Sequence, residues 1–308
     1  MLGKLVADSG AAQRITSVLV RRFGRKNVQW AVVLTGFIVG IPMFYTVGFV
    51  ILVPLVFTVA ASTRLPLLYV GVPMLASLSV THGYLPPHPA PTAISEIFQA
   101  DLGKTLLYGL LIAIPAIIVA GPLLSRTFKN IPASPLAEFV NPRVLEEDEM
   151  PGIWISIITA LLPVVLIGTA TLSDLLLPEG HWIALGLSFV GNPVIAMLLS
   201  VLVAIYTLGL SRRRTMKEVM SSVGQSVSGI TMVLLIIAGA GALKEVLIQS
   251  GVSEYIGALL AGSSISPLVL AWGIATVIRV SVGSATVAGL TAAGIVLPLI
   301  GNSGVAPE

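Results

Sequence analysis

The feature that most limits what this chain can become is a set of apolar runs longer than the core helices of a water-soluble domain. Leu106–Leu124 and Trp182–Leu210 contain no charged residue, and Ile153–Leu177 contains only Asp174. A fourth run extends from about Val223 to Ile248, with Lys244 and Glu245 toward its far end. An α-helix rises about 1.5 Å per residue, so roughly 20 apolar residues cross the hydrocarbon of a bilayer. Composition agrees: 56% of residues are hydrophobic and 10% charged, where a soluble domain holds about 25% charged. A surface this poor in polar groups suits lipid, where each span must satisfy its own backbone. The chain reads as an all-α, polytopic integral membrane protein with the lipid bilayer as its solvent.

The remaining apolar runs are irregular. Trp30–Ala60 is too long for one span and is cut by Pro42 and Pro54. Leu65–Val80 is short, and Thr81–Ala93 after it holds Pro86, Pro87, Pro89 and Pro91, which withhold donors and clash with preceding carbonyls. These residues predict that Thr81–Ala93 is not a regular helix. Leu268–Ile300 is again long and is interrupted at Ser281-Val282-Gly283-Ser284. With 30 glycines and 20 prolines in the chain, such interruptions read as broken helices that line a cavity.

Basic clusters orient the spans, since cytoplasmic loops carry the excess of Lys and Arg. Three clusters stand out: Arg21, Arg22, Arg25 and Lys26; Arg126, Lys129 and Arg143; Arg212, Arg213, Arg214 and Lys217. They are topology signals and not a nucleic-acid footprint, so no nucleic acid partner is expected. If all three are cytoplasmic, two spans separate the second from the third, with the outer loop Asp174–His181 free of Lys and Arg. Leu106–Leu124 then enters from outside, and Trp30–Ala60 begins and ends inside as a hairpin, either re-entrant or a pair of spans. Val223–Ile248 leads outward, Gln249–Pro267 lies outside, and Leu268–Ile300 is a hairpin entering from outside.

An internal repeat fits this layout. With one constant offset, Leu2, Ser9, Gly10 and Ile15 match Leu243, Ser250, Gly251 and Ile256, and Trp30 lies one residue from the register of Trp272. The two copies run in opposite senses, the pattern of an inverted-topology repeat, in which substrates bind near the midplane where helices are broken. Chance likeness between apolar, Gly-rich helices is the alternative. The expected division is 1–125 as the first repeat, 126–152 as a cytoplasmic loop, 153–218 as two connecting spans and 219–308 as a second, truncated repeat. Met1–Val20 contains Lys4, Asp8 and Arg14 and is no signal peptide; it reads as the end of a helix begun earlier.

Arg279 is the sharpest residue for function. It sits inside an apolar run, just before Gly283, Ser284 and Thr286. An intramembrane arginine is costly and by default marks a site, and its guanidinium offers a two-pronged donor to a carboxylate. Gly283 and Ser284 allow close backbone approach, and a helix starting there points amide donors at an anion. The plainer alternative is an arginine that snorkels to the surface. The proline segment supplies His82, His88 and Thr92, and either histidine could carry a proton near neutral pH; an ordinary outer loop is the alternative. The tip Gly40–Gly48 supplies Tyr45 and Thr46 to hydrogen-bond a polyol, or simply to pack helices. Lys244 and Glu245 read as interfacial.

Enzyme signatures are missing: there is no His-Glu-x-x-His, no Gly-x-Ser-x-Gly and no P-loop. Without cysteine, thiolate metal sites and disulfides are excluded, and neither a metal nor a cofactor is expected. A membrane-embedded enzyme is the rival class to a carrier.

At these residues the sequence resembles the gluconate permease family, the gluconate:proton symporters of bacteria. The likeness spans essentially the whole chain. It is carried by Gly3-Lys4-Leu5 with Asp8-Ser9-Gly10, by Gly40-Ile41-Pro42 with Val47-Gly48-Phe49-Val50, and by His82-Gly83-Tyr84-Leu85-Pro86-Pro87-His88-Pro89. It continues in Gly121-Pro122-Leu123, Gly239-Ala240-Gly241 and Ser250-Gly251, and ends in Arg279 with Gly283-Ser284-Ala285-Thr286-Val287-Ala288. The resemblance implies import of gluconate or a related sugar acid with protons across the bacterial inner membrane. It also implies an ion-transporter-type fold with inverted repeats and re-entrant hairpins, in carriers that are often homodimers. Another organic anion, such as a dicarboxylate or hydroxy acid, or coupling to sodium, is the alternative cargo. Two departures stand out. Thr46 occupies a tip position that is acidic in many gluconate carriers, which shifts the proton role toward His82 and His88. Family members also carry further helices at both ends, so the chain reads as a fragment.

Overall fold

A computed structural model describes residues 1–133, 145–178, 181–251, 255 and 266–300. Among the described residues all regular structure is helical. Arg143, Ile256 and Gly301–Glu308, which entered the topology, repeat and length readings, lie outside them, as does most of the expected outer loop after Gln249.

The first stretch begins with α1 (Leu2–Asp8) and α2 (Ala11–Phe23), parted at Gly10, whose φ of 77° suits a residue without Cβ. Next come α3 (Val28–Gly40) and α4 (Tyr45–Thr63), joined by a short turn in which Met43 N–H donates to the Gly40 carbonyl. α5 (Leu67–Tyr84) lies along α3 and also packs on α4. α6 (Pro89–Phe98) follows a break at residues 85–88. α7 (Leu102–Ile118) starts where the Asp101 carboxylate accepts the Lys104 N–H at 2.7 Å, and it widens into a π turn at Val119–Leu123, which contains Pro122.

Then come α8 (Ile153–Leu176), α9 (Trp182–Gly191) and α10 (Pro193–Ala204), the last continuing through a π turn at Ile205–Gly209 and a 3-10 turn at Leu210–Arg212. α11 (Met216–Gln249) opens with a capping box. Thr215 N–H donates to Glu218 Oε2 at 2.7 Å and Glu218 N–H to Thr215 Oγ1 at 3.3 Å. α12 (Pro267–Val282) and α13 (Ala285–Ile300) close the described fold.

Among the described residues, four helical stretches are long and apolar enough to cross a bilayer: Tyr45–Thr63, Leu102–Phe128, Ile153–Leu176 and Pro193–Arg212. They include the expected runs around Leu106–Leu124 and Ile153–Leu177. The expected span Val223–Ile248 lies within α11.

The run Trp182–Leu210 is corrected from one helix to two. Pro193 takes the first position of α10, where its missing N–H costs nothing, and Asn192 Oδ1 accepts the Val194 N–H at 3.0 Å. The expectation that Thr81–Ala93 is irregular is also narrowed. Thr81–Tyr84 complete α5, and Pro89 and Pro91 sit in the first turn of α6, where backbone donors have no intrahelical partner anyway. Only residues 85–88 leave the helical path.

Helices approach closely where a side chain is missing. A Cβ on Gly36 would stand 2.6 Å from the Met74 carbonyl oxygen, and one on Gly103 would stand 1.7 Å from Thr171 Oγ1. Small residues at such crossings are how membrane helices pack, because lipid provides no hydrophobic drive between them. Leu52, Val56, Met74 and Leu78 are buried at the centre of the resulting core. Gln29, buried within it, donates to the Tyr69 carbonyl at 3.0 Å and to Ser125 Oγ at 2.6 Å, so the polar group is satisfied and ties α3 to the segment after α7. Leu111, Ile114, Trp154 and Trp182 point outward and exposed, as a lipid-facing surface requires.

Candidate functional site

The break after α5 and the turn after α3 form one unit. Pro86 and Pro87 withhold donors, so α5 stops at Tyr84, and His88 adopts the extended conformation that caps α6. From there His88 Nε2 reaches the Gly40 carbonyl oxygen at 2.9 Å. A carbonyl only accepts, so Nε2 carries the hydrogen. The rings of His82 and His88 meet edge-on, 4.9 Å between centroids, and Phe44 of the turn stands 5.9 Å from His82 and 6.5 Å from His88. A Cβ on Gly40 would lie 2.2 Å from Thr81 Oγ1, so glycine is what lets the turn press onto α5.

The second break is built differently. α12 ends at Gly283, whose φ of 77° closes the helix through an N–H donated to the Arg279 carbonyl at 2.9 Å. The Arg279 guanidinium turns along the helix end and donates to the Gly283 carbonyl. Ser284 begins α13 by accepting the Val287 N–H on Oγ at 3.3 Å. α13 packs on α6, with Gly289 against Ile94 and Ala285 beside Gly83. The second break is thereby held next to the first.

Between them lies a cavity of about 760 Å³, within the range of small-molecule sites. Seven of the residues singled out from sequence line it: Tyr45, Thr46, His82, Arg279, Gly283, Ser284 and Thr286. His88 and Thr92 do not; His88 is buried behind the wall, bonded to Gly40, and Thr92 Oγ1 is buried without a hydrogen-bond partner among the described residues. His82 Nδ1 is likewise buried and unpartnered.

Four polar side chains on the wall were not singled out: Lys4, Ser79, Gln225 and Ser226. Lys4 comes from α1, which meets the turn so tightly that a Cβ on Gly3 would stand 2.3 Å from the Pro42 carbonyl oxygen. The signal for it was present in the Gly3-Lys4-Leu5 motif, but a lysine near a helix end reads as surface. Chemically, the wall presents Arg279, Lys4 in an ion pair with Asp8, several hydroxyls and, among the described residues, no Asp or Glu. Among the described residues no three metal-ligating side chains gather. Such a lining favours a small anion with hydrogen-bonding groups over a cation or an apolar solute.

Comparison with known proteins places the chain in a family. The model of the GntP family permease matches residues 1–308. The chain is 53% identical to the high-affinity gluconate transporter of Escherichia coli K12, over 100% of this chain and 70% of that protein. It is 51% identical to the L-idonate transporter of the Gnt-II system of the same organism, over 97% of this chain and 68% of the relative. The gluconate permease of Bacillus subtilis 168 is 46% identical over 99% of this chain and 70% of its own length. No solved structure matches the chain. The chain belongs to the GntP permease family and is a multi-pass protein of the bacterial inner membrane.

Proposed function

We propose that the chain imports gluconate or a related sugar acid together with a proton. The observation that carries this reading is the single cavity where two broken helical segments meet, walled by Arg279 and Lys4 and, among the described residues, free of carboxylates. The cargo carboxylate pairs with Arg279 and with the amides that open α13 at Ser284–Thr286. Its hydroxyls meet Tyr45, Thr46 and His82. His88 holds the turn in place through the Gly40 carbonyl. The names of the relatives support the cargo class, since they cover both gluconate and L-idonate, two polyhydroxy carboxylates.

The two halves of the site are an inverted repeat with re-entrant hairpins. In support, Gly10 and Gly251, which share a position in the repeat, both have left-handed φ, 77° and 72°. The turn after α3 and the break before α13 also fall at corresponding places. Such a unit moves against the more regular helices to expose the site alternately to the two sides.

The test is counterflow of labelled gluconate in vesicles carrying the complete protein. Counterflow should be competed by L-idonate but not by glucose, which lacks the carboxylate. Net accumulation should collapse with a proton uncoupler while counterflow persists. Glucose competing as well as L-idonate would refute the anion site, and accumulation indifferent to the uncoupler would refute proton coupling.

A further inference from the structure

Lys4 is not free in the cavity. Its Nζ lies 2.8 Å from Asp8 Oδ1, one helical turn along α1. The two ends of this ion pair face different spaces. Lys4 lines the cavity that holds Arg279, whereas Asp8 lines a second cavity of about 560 Å³, walled also by Arg212, Arg213 and Arg214. That arginine cluster marks the side read as cytoplasmic. α1 is therefore the partition between the cargo site and a polar pocket on the inner side.

We propose that Lys4 and Asp8 exchange partners during transport: an arriving carboxylate takes Lys4, and the Asp8 oxygen so released takes up the co-transported proton. The inference rests on the transport reading above. The charges balance. The empty pair is neutral, and the loaded state holds an ammonium–carboxylate pair and a neutral carboxylic acid, so one anion and one proton enter together. Anion without proton would part the Asp8 carboxylate from Lys4, its ion-pair partner. Proton without anion would leave Lys4 without its partner on the wall it shares with the cation Arg279. Each step is more favourable with the other, which is what coupling means. Release reverses the exchange, with the proton leaving Asp8 for the second cavity.

The surrounding groups leave this role open to Asp8. From the segment before α8 come Asp148 and Glu149, and from the end of α10 come Arg212, Arg213 and Arg214. Arg14 of α2 is turned to Glu147 and the Pro151 carbonyl. α10 has no charged residue, α8 has only Asp174 near its far end, and α11 faces the cargo cavity with the neutral Gln225 and Ser226. Across the cavity stand Arg279 and His82. His88, the other histidine of the break, already spends Nε2 on Gly40.

The experiment compares the unaltered complete protein with Asp8→Asn and Asp8→Glu in liposomes, reading labelled gluconate in two modes. Under a two-unit pH gradient the unaltered protein should concentrate gluconate up to about 100-fold, each pH unit being tenfold. Asp8→Asn should equilibrate gluconate at a ratio near one and yet keep its counterflow, since exchange needs no net proton movement. Asp8→Glu should keep concentrative uptake. Concentrative uptake by Asp8→Asn overturns the proposal. Loss of counterflow and uptake together in Asp8→Asn also overturns it, because Asp8 would then serve packing or binding. If the unaltered protein shows no gluconate counterflow, the transport reading fails and this inference with it.

Discussion

Replacing Gly40 by Ala tests the claim that the turn at the site is held by a close approach. The added methyl would stand 2.2 Å from Thr81 Oγ1 and 3.2 Å from both Thr81 Cβ and Leu78 Cδ1. Leu78 Cδ1 ends a flexible side chain and can yield. Thr81 Oγ1 cannot yield freely, because it donates to the Leu78 carbonyl at 2.9 Å and both residues are fully buried. Relieving the clash therefore means moving α3 or α5 by about an ångström, at the roughly 1–3 kcal/mol typical of overpacking. Thr81→Ala alone removes one intrahelical hydrogen bond and should cost about 1 kcal/mol. The double variant Gly40→Ala/Thr81→Ala should be less destabilised than the sum of the two by at least about 1 kcal/mol, because the second change removes the atom that the first collides with. Titration of the purified protein with SDS in mixed micelles gives the three unfolding free energies. Gluconate counterflow should follow them, since Thr46 and Tyr45 ride on the same turn. Strict additivity would refute the reasoning and mean that the turn relaxes without reference to Thr81.

Other substitutions probe the remaining parts of the site. Arg279→Gln removes a charge-assisted pair worth about 1.5–3 kcal/mol and should raise the KM for gluconate uptake about 10–150-fold; a KM within threefold would remove Arg279 from the cargo. Arg279→Lys keeps the charge but loses the planar fork that donates to the Gly283 carbonyl and, in the proposed site, to the cargo carboxylate, so it should fall between Gln and the unaltered protein. His88→Ala removes one of the two donors to the Gly40 carbonyl and leaves it the Met43 N–H, and should cost about 0.5–1.5 kcal/mol of stability, with His88→Gln recovering part through its amide N–H; equal loss in both would refute the hydrogen bond as the cause. Asn192→Ala removes the cap of α10 at about 1 kcal/mol while Asn192→Ser retains most of it, read by the same SDS titration.

What the sequence makes legible, and what it hides, follows from the range of the interactions involved. Arg279 beside Gly283 and Ser284 was visible because an uncompensated cation in an apolar run is a local anomaly, and the structure accounts for it locally, through the Gly283 carbonyl. The proline segment was visible for the same reason, but its extent was not, since whether a proline breaks a helix depends on where the first turn falls. Pro89 and Pro91 lie inside α6 at no cost, and Pro193 begins α10 inside a run that hydropathy reads as continuous. The burial of His88 was out of reach, because it depends on a carbonyl 48 residues away. Lys4 shows the limit most sharply. One turn from Asp8, it has the spacing of an ordinary surface ion pair of little energetic worth, and nothing in its neighbourhood says otherwise. It becomes part of the cargo cavity only because Gly3 lets α1 lie against the Pro42 carbonyl. The absence of a side chain at one position thus decides the role of the charge at the next, and widening that contact with Gly3→Ala should disturb Lys4 without touching it.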